Sequence, residues 1–208
     1  MGKNWWITAL YALLSLLALL GMLCACVLVT GLNAPLMAQQ FRTYGRAAQV
    51  DEAQLPAIAD EVVDYLAGRR DDLPAFQAHE QAHMVDVRGL FRLAMGVSAL
   101  GIPAIAVLWL GRRLGALGVY WKATAGFLGV IALLVIWGAA DFGSLFVLFH
   151  RVAFTNNLWI LNPATDLMIQ LMPTAFFIDY AARIGLLFAA LALMTLLGAA
   201  YLHRRYRL

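Results

Sequence analysis

Three of the chain's four histidines lie in two short segments whose neighbours suit acid–base chemistry. One segment reads Phe76-Gln77-Ala78-His79-Glu80-Gln81-Ala82-His83-Met84-Val85-Asp86-Val87-Arg88. The other begins Leu148-Phe149-His150-Arg151 and continues through Phe154, Asn156, Trp159, Pro163, Asp166 and Pro173. Imidazole is the one side chain whose unperturbed pKa lies close to neutrality, so histidines gathered at one water-facing rim point to proton transfer. On a helix, His79, His83 and Asp86 stand at i, i+4 and i+7 and share a face, with Glu80 within reach of His83.

The same residues allow a second chemistry. His79-Glu80-Gln81-Ala82-His83 matches H-E-x-x-H, in which two histidines hold zinc and the glutamate activates water. A zinc site also needs a third protein ligand, for which Asp86, His150 and Asp166 are available. No further zincin signature accompanies the motif, and no spacing selects the third ligand. Taken singly, each residue also has a structural role open to it, a carbonyl contact for a histidine or a helix cap for Asp86. Ionisable groups clustered at a membrane rim favour a functional one.

The elements that must position these groups are membrane helices. The chain is 63% hydrophobic and 13% charged, and its apolar runs exceed the roughly 20 residues that cross a bilayer. Four spans are expected, near 6–31, 89–111, 123–143 and 180–202, in one membrane domain covering 1–208. The Leu23-Cys24-Ala25-Cys26 stretch faintly resembles a lipoprotein signal ending, but the apolar run continues through Leu32, so it is read as a span. Cys24 and Cys26, two apart on a helix, point to opposite sides and are read as packing residues.

Lys3, Arg112, Arg113, Lys122, Arg204, Arg205 and Arg207 flank the spans without any acid, which places both termini on the cytoplasmic side. Residues 33–88 carry nine acids against five arginines and are expected to form an extracytoplasmic helical insertion. Residues 144–179, with their prolines and asparagines, are expected as interfacial or re-entrant helices on the same side, folding His150 towards His83. The net charge of +3 is thus an orientation signal, with no case for nucleic acid as a partner.

Locally, Asp51 with Gln54 reads as a capping box before a helix that begins near Leu55 and stops at Gly68. A second helix is expected to open at Leu73-Pro74 and run unbroken into the second span. Asp179 and Arg183, four apart, are expected to pair.

Together the two histidine segments resemble the lipoprotein intramolecular transacylase family of bacterial membrane proteins. The matching residues are Glu80, His83, Asp86 and Val87, then Phe149, His150, Phe154, Asn156, Trp159, Pro163, Asp166, Pro173, Phe176 and Phe177, with a looser match at Tyr65-Leu66 and Gly68. His79 is not part of the pattern. The resemblance implies an all-α membrane fold of four spans and an acyltransferase of the bacterial cytoplasmic membrane with its active site outside. Its substrate would be a diacylglyceryl-modified lipoprotein, held among membrane lipids. The sn-2 acyl chain would move to the free amine of the N-terminal cysteine, giving a lyso-form lipoprotein. His83 and His150 are the implied catalytic pair, with Glu80, Asp86, Arg88, Asn156, Trp159 and Asp166 supporting or orienting. Neither a metal nor an organic cofactor is implied.

The residues suit that reaction. Attack needs a neutral amine, and a histidine can take its proton while a second supplies one to the departing alkoxide. Either histidine can play either part. Glu80 or Asp86 could fix the tautomer of His83, and Asn156, Arg88 or a backbone amide could face the oxyanion. The alternatives are a membrane zinc hydrolase built on His79 and His83, and a non-enzymatic membrane factor that binds lipid or a partner.

Overall fold

A computed structural model describes residues 5–45, 48–110 and 116–205. Every regular element among them is helical: α1 (Trp5–Gly31), α2 (Ala34–Tyr44), a 3₁₀ turn (Glu52–Gln54), α3 (Leu55–Leu66), α4 (Ala78–Leu110), α5 (Ala116–Ala153), α6 (Leu167–Leu171) and α7 (Thr174–Arg205). Four of these, α1, α4, α5 and α7, are long and apolar enough to cross a membrane. Of the basic residues behind the expected orientation, Lys3, Arg112, Arg113 and Arg207 lie outside the described residues, as does the side chain of Arg204.

The chain forms two compact units. One gathers the chain up to Val27, Ala94–Ile136 and the chain from Ile184 onward. Its core holds Leu19, Met22, Cys26, Leu108, Tyr120 and Phe188, so Cys26 is a packing residue as expected, and both cysteines are free. Lipid tails are as apolar as leucine, so helices here associate through close backbone approach and hydrogen bonds. A Cβ on Gly21 would lie 2.6 Å from the Gly101 Cα, which brings α1 and α4 into backbone contact. Beside it the Ser98 hydroxyl donates to the Gly21 carbonyl (3.2 Å).

The other unit comprises Leu28–Leu93 and Trp137–Arg183 and contains both histidine segments. Asn33 caps α2 by accepting from the Leu36 amide, with Pro35 in the first turn, where its missing N–H costs nothing. Asp51 caps the 3₁₀ turn, accepting from the Ala53 amide. The start of α3 at Leu55 agrees with the sequence reading. At its end Gly68 takes φ +79°, the left-handed conformation of a helix stop, while the Arg69 amide reaches back to the Asp64 carbonyl. The stripe Leu55, Ile58, Val62, Val63 and Leu66 meets Met37 and Phe41 from α2, and Leu73, Phe76, Met84 and Leu171 complete the core. Each such side chain contributes about 1.5–3 kcal/mol when buried.

Two boundaries differ from the sequence reading. Helix α4 begins at Ala78, because residues 73–76 form a turn closed by the Phe76 amide on the Leu73 carbonyl. Glu80 sets the start: its carboxylate reaches back to the Gln77 amide (2.7 Å), the returning arm of a capping box. Helix α5 runs to Ala153 but breaks at Asp141 (φ −153°, ψ 83°), so 144–153 are helical. Asp141 caps the second piece, taking the Ser144 amide on Oδ1 and the Ser144 hydroxyl on Oδ2. That piece ends with His150 and Arg151. Asp179 and Arg183 pair as expected.

Candidate active site

His83 lies in the second turn of α4 and His150 near the end of α5; both are buried, and their ring centroids are 6.2 Å apart. The expectation that 144–179 fold His150 towards His83 is met. Aromatic rings enclose the pair. Phe154 sits edge-on to His83 at 5.1 Å and lies 5.5 Å from His150, while Phe146 is 4.0 Å and Trp159 5.0 Å from His150. Phe149 closes the enclosure edge-on at 5.3 Å.

The two imidazoles are held differently. His150 Nδ1 stands 2.7 Å from the Phe146 carbonyl one turn back. A carbonyl only accepts, so Nδ1 carries the hydrogen and, in the neutral ring, the lone pair is on Nε2. His83 Nδ1 is buried and has no hydrogen-bond partner. Among the described residues no carboxylate hydrogen-bonds to either ring.

The remaining residues of the first segment reach the second by separate routes. The exposed His79 meets Asp166 through Nε2 and Oδ2 (3.0 Å). Asp166 also takes the Thr165 hydroxyl and the Asn162 amide, and these donors with His79 lower its pKa to about 2. Glu80 is fully buried, and its two oxygens accept the amides of Gln77 and Met168 (each 2.7 Å), so it ties α4 to the start of α6. It therefore does not fix the tautomer of His83. Asp86 does not either: its Oδ2 accepts from Asn156 Nδ2 (2.8 Å). The orientation of that amide is set by the Leu158 N–H donating to its Oδ1, and the Asn156 carbonyl accepts from Trp159 Nε1.

Arg88 reaches back to Tyr65 and Asp71. Its Nη1 meets Asp71 (3.0 Å) and its guanidinium lies 4.8 Å from the centre of the Tyr65 ring, which commits it to the end of α3. Of the H-E-x-x-H residues, His79 meets Asp166, Glu80 accepts two backbone amides and His83 faces His150, and no group of three His, Cys, Asp or Glu among the described residues could hold a metal.

Phe146, Asn162, Thr165 and the Met168 amide were not singled out from sequence. Phe146 alone left a trace, one helical turn before His150.

A family model described as lipoprotein intramolecular transacylase Lit matches residues 12–177. The chain belongs to this family. It is an acyltransferase and an all-helical membrane protein. Among solved structures it is similar to the membrane-integral lipoprotein intramolecular transacylase Lit from Bacillus cereus. The identity is 21% and the TM-score 0.81, over 97% of this chain and 98% of that one. A form of that protein with a histidine replaced by arginine gives a TM-score of 0.76 at 21% identity, over 97% of this chain and 94% of that one. A form with a histidine replaced by alanine gives 0.75 at 20% identity, over 99% of each chain. At such identities the likeness concerns the fold. No curated protein sequence matches the chain significantly. Within the transacylase family assignment, the aromatic enclosure around His83 and His150 is the part of this chain best suited to acid–base work.

Proposed function

We propose that this transacylase moves the sn-2 acyl chain of a diacylglyceryl-modified cysteine to that cysteine's own free amine, with His83 and His150 as the acid–base pair. The observation that carries the reading is the meeting of two buried histidines in one aromatic enclosure, neither bound to a carboxylate. The amine nitrogen attacks the ester carbonyl, the nitrogen loses a proton to an imidazole, and the bond from carbonyl carbon to glyceryl oxygen breaks. The departing oxygen takes a proton from an imidazolium. The amide and the free hydroxyl are the products, and proton exchange restores the pair.

His150 suits the base, because its donated hydrogen bond to the Phe146 carbonyl leaves Nε2 as the accepting nitrogen. His83 is the second imidazole of the pair, and the proton taken from the amine returns through it to the departing glyceryl oxygen. Amine and ester belong to one molecule, so holding them in attack geometry supplies much of the rate. Asn156 and Trp159 act as positioning residues, through Asp86 and against His150 respectively. Glu80 and Asp166 hold the 154–171 segment on α4.

In this reading the histidines open to the outer face of a bacterial cytoplasmic membrane, with both chain termini inside. Residues 33–88 are the extracytoplasmic insertion, and membrane lipids surround the substrate's acyl chains. Mass spectrometry of a lipoprotein's N-terminal peptide, after co-expression in a host lacking N-acylation, tests the reaction. The expected product is N-acyl, mono-O-acyl glyceryl cysteine. A diacyl peptide with a free amine, from well-expressed protein, would overturn the reading.

A further inference from the structure

Several acids in this unit have a cation of their own, and Glu80, which has none, is satisfied by two backbone amides. Asp64, Asp71, Asp72 and Asp179 face arginines, and Asp166 faces His79. Asp86 does not. It is half-buried, no basic side chain stands within ion-pair distance, and only Oδ2 accepts a hydrogen bond, from the uncharged amide of Asn156. A half-exposed carboxylate with one oxygen free and no ion pair is open to a ligand that brings the missing charge.

There is room for one. Asp86 and Asn156 form part of the lining of a cleft of about 250 Å³ whose walls include Gly89 and Leu90 from α4 and Phe154 and Thr155 from the segment after α5. A Cβ placed on Gly89 would meet nothing within 4 Å, so this side is open. Phe154 is also the ring that packs on both His83 and His150, so the cleft and the imidazoles share a wall. Asp86 itself is three residues beyond His83 on α4, where side chains are neighbours. The other cleft residues named here carry no charge. Asp86 interacts electrostatically with His83, and His150 stands 6.2 Å beyond that ring.

We propose that Asp86 is the specificity-determining residue for the acceptor: its free Oδ1 binds the protonated α-amine, and Asn156 holds the carboxylate in place. This inference rests on the acyl-transfer reading and names the part of the site that selects the nucleophile. The ammonium docks on Asp86, gives up one proton to water or an imidazole, and attacks as the neutral amine. Once acylated, the nitrogen is an uncharged amide with nothing to offer the carboxylate. Asp86 thereby favours the substrate over the product and rejects lipoproteins that are already N-acylated.

The test is the KM of the purified enzyme for a diacylglyceryl-cysteine peptide with a free amine, measured from about pH 6 to pH 9.5. Asp86→Asn keeps an acceptor for Asn156 and removes only the charge. It should raise KM about tenfold at the low end, the worth of one charge-assisted contact. The ratio to wild type should shrink above about pH 8, where an α-amine loses its charge. Asp86→Glu should keep the wild-type trend. An N-acetylated peptide should bind His150→Ala enzyme weakly, and as weakly when Asp86→Asn is added. A KM ratio that does not change with pH, or equal affinity for the free-amine and acetylated peptides, overturns the proposal while leaving the transacylase reading intact. Absence of lyso product from the wild-type enzyme would instead remove the reading on which it rests.

Discussion

His79 and His83 stand one turn apart on α4, and both reach residues of the second segment, yet their surroundings differ in kind. His79 is exposed and meets a buried carboxylate, Asp166, already supplied with hydrogen bonds from Thr165 and Asn162. His83 is buried among aromatic rings, faces a second imidazole, and leaves Nδ1 without a partner. A histidine bound to an acid is committed to holding a loop. One enclosed without a hydrogen bond to an acid keeps its ring nitrogens available. The same residue type at helical spacing is thus a latch in one place and, in the proposed function, a reactive group in the other.

The largest effect is expected where proton transfer itself is removed. His83→Ala and His150→Ala should each lower the rate of lyso-product formation by about 10²–10⁴-fold, with little change in thermal melting; a radiolabelled or mass-resolved product assay with a melting curve checks both. Next comes Glu80, which stands between the two histidines on α4 but touches neither. Glu80→Ala orphans the buried amide of Met168 at about 1–3 kcal/mol and removes the cap on the Gln77 amide, so it should lower the melting temperature and activity together. An activity loss at unchanged stability would move Glu80 from clamp to chemistry.

The latch itself should respond to acid. Asp166 has its pKa lowered in the folded chain, so it contributes stability above the ordinary carboxylate pKa, and that contribution is lost as pH falls towards about 2. Melting curves of wild type and Asp166→Asn should therefore differ at pH 5 and converge on acidification through this window. A constant difference down to about pH 2 would show that the latch is not electrostatic. The smallest effect belongs to His79→Gln, an exposed partner that can still donate to Asp166. Its product yield should stay within about threefold of wild type, the scale of an exposed pair.

Much of this contrast was legible in the chain. The i, i+4, i+7 spacing put His79, His83 and Asp86 on one face, and hydropathy located the four long helices. The prolines and asparagines of 144–179 implied a segment that folds His150 back towards His83. What spacing alone could not supply was the partner of each carboxylate. Glu80 reaches Met168 across 88 positions of sequence, and Asp86 reaches Asn156 across 70, contacts fixed only by tertiary packing. The start of α4 was misplaced because Pro74 suggests a first helical turn, whereas Gln77 and Glu80, three apart, form the actual cap. The span was expected to end near 143 with separate helices from 144, and the break falls at Asp141, with Asp141 and Ser144 spaced as a cap.

The central claim is that chemistry belongs to the His83–His150 pair and not to the H-E-x-x-H motif. Mass spectrometry of the lipoprotein N-terminal peptide, after co-expression with His83→Ala, His150→Ala or His79→Ala, tests it most directly. The account predicts lyso-form peptide with His79→Ala and only free-amine diacyl peptide with the other two. Product from His83→Ala or His150→Ala, or its loss with well-folded His79→Ala, would contradict it.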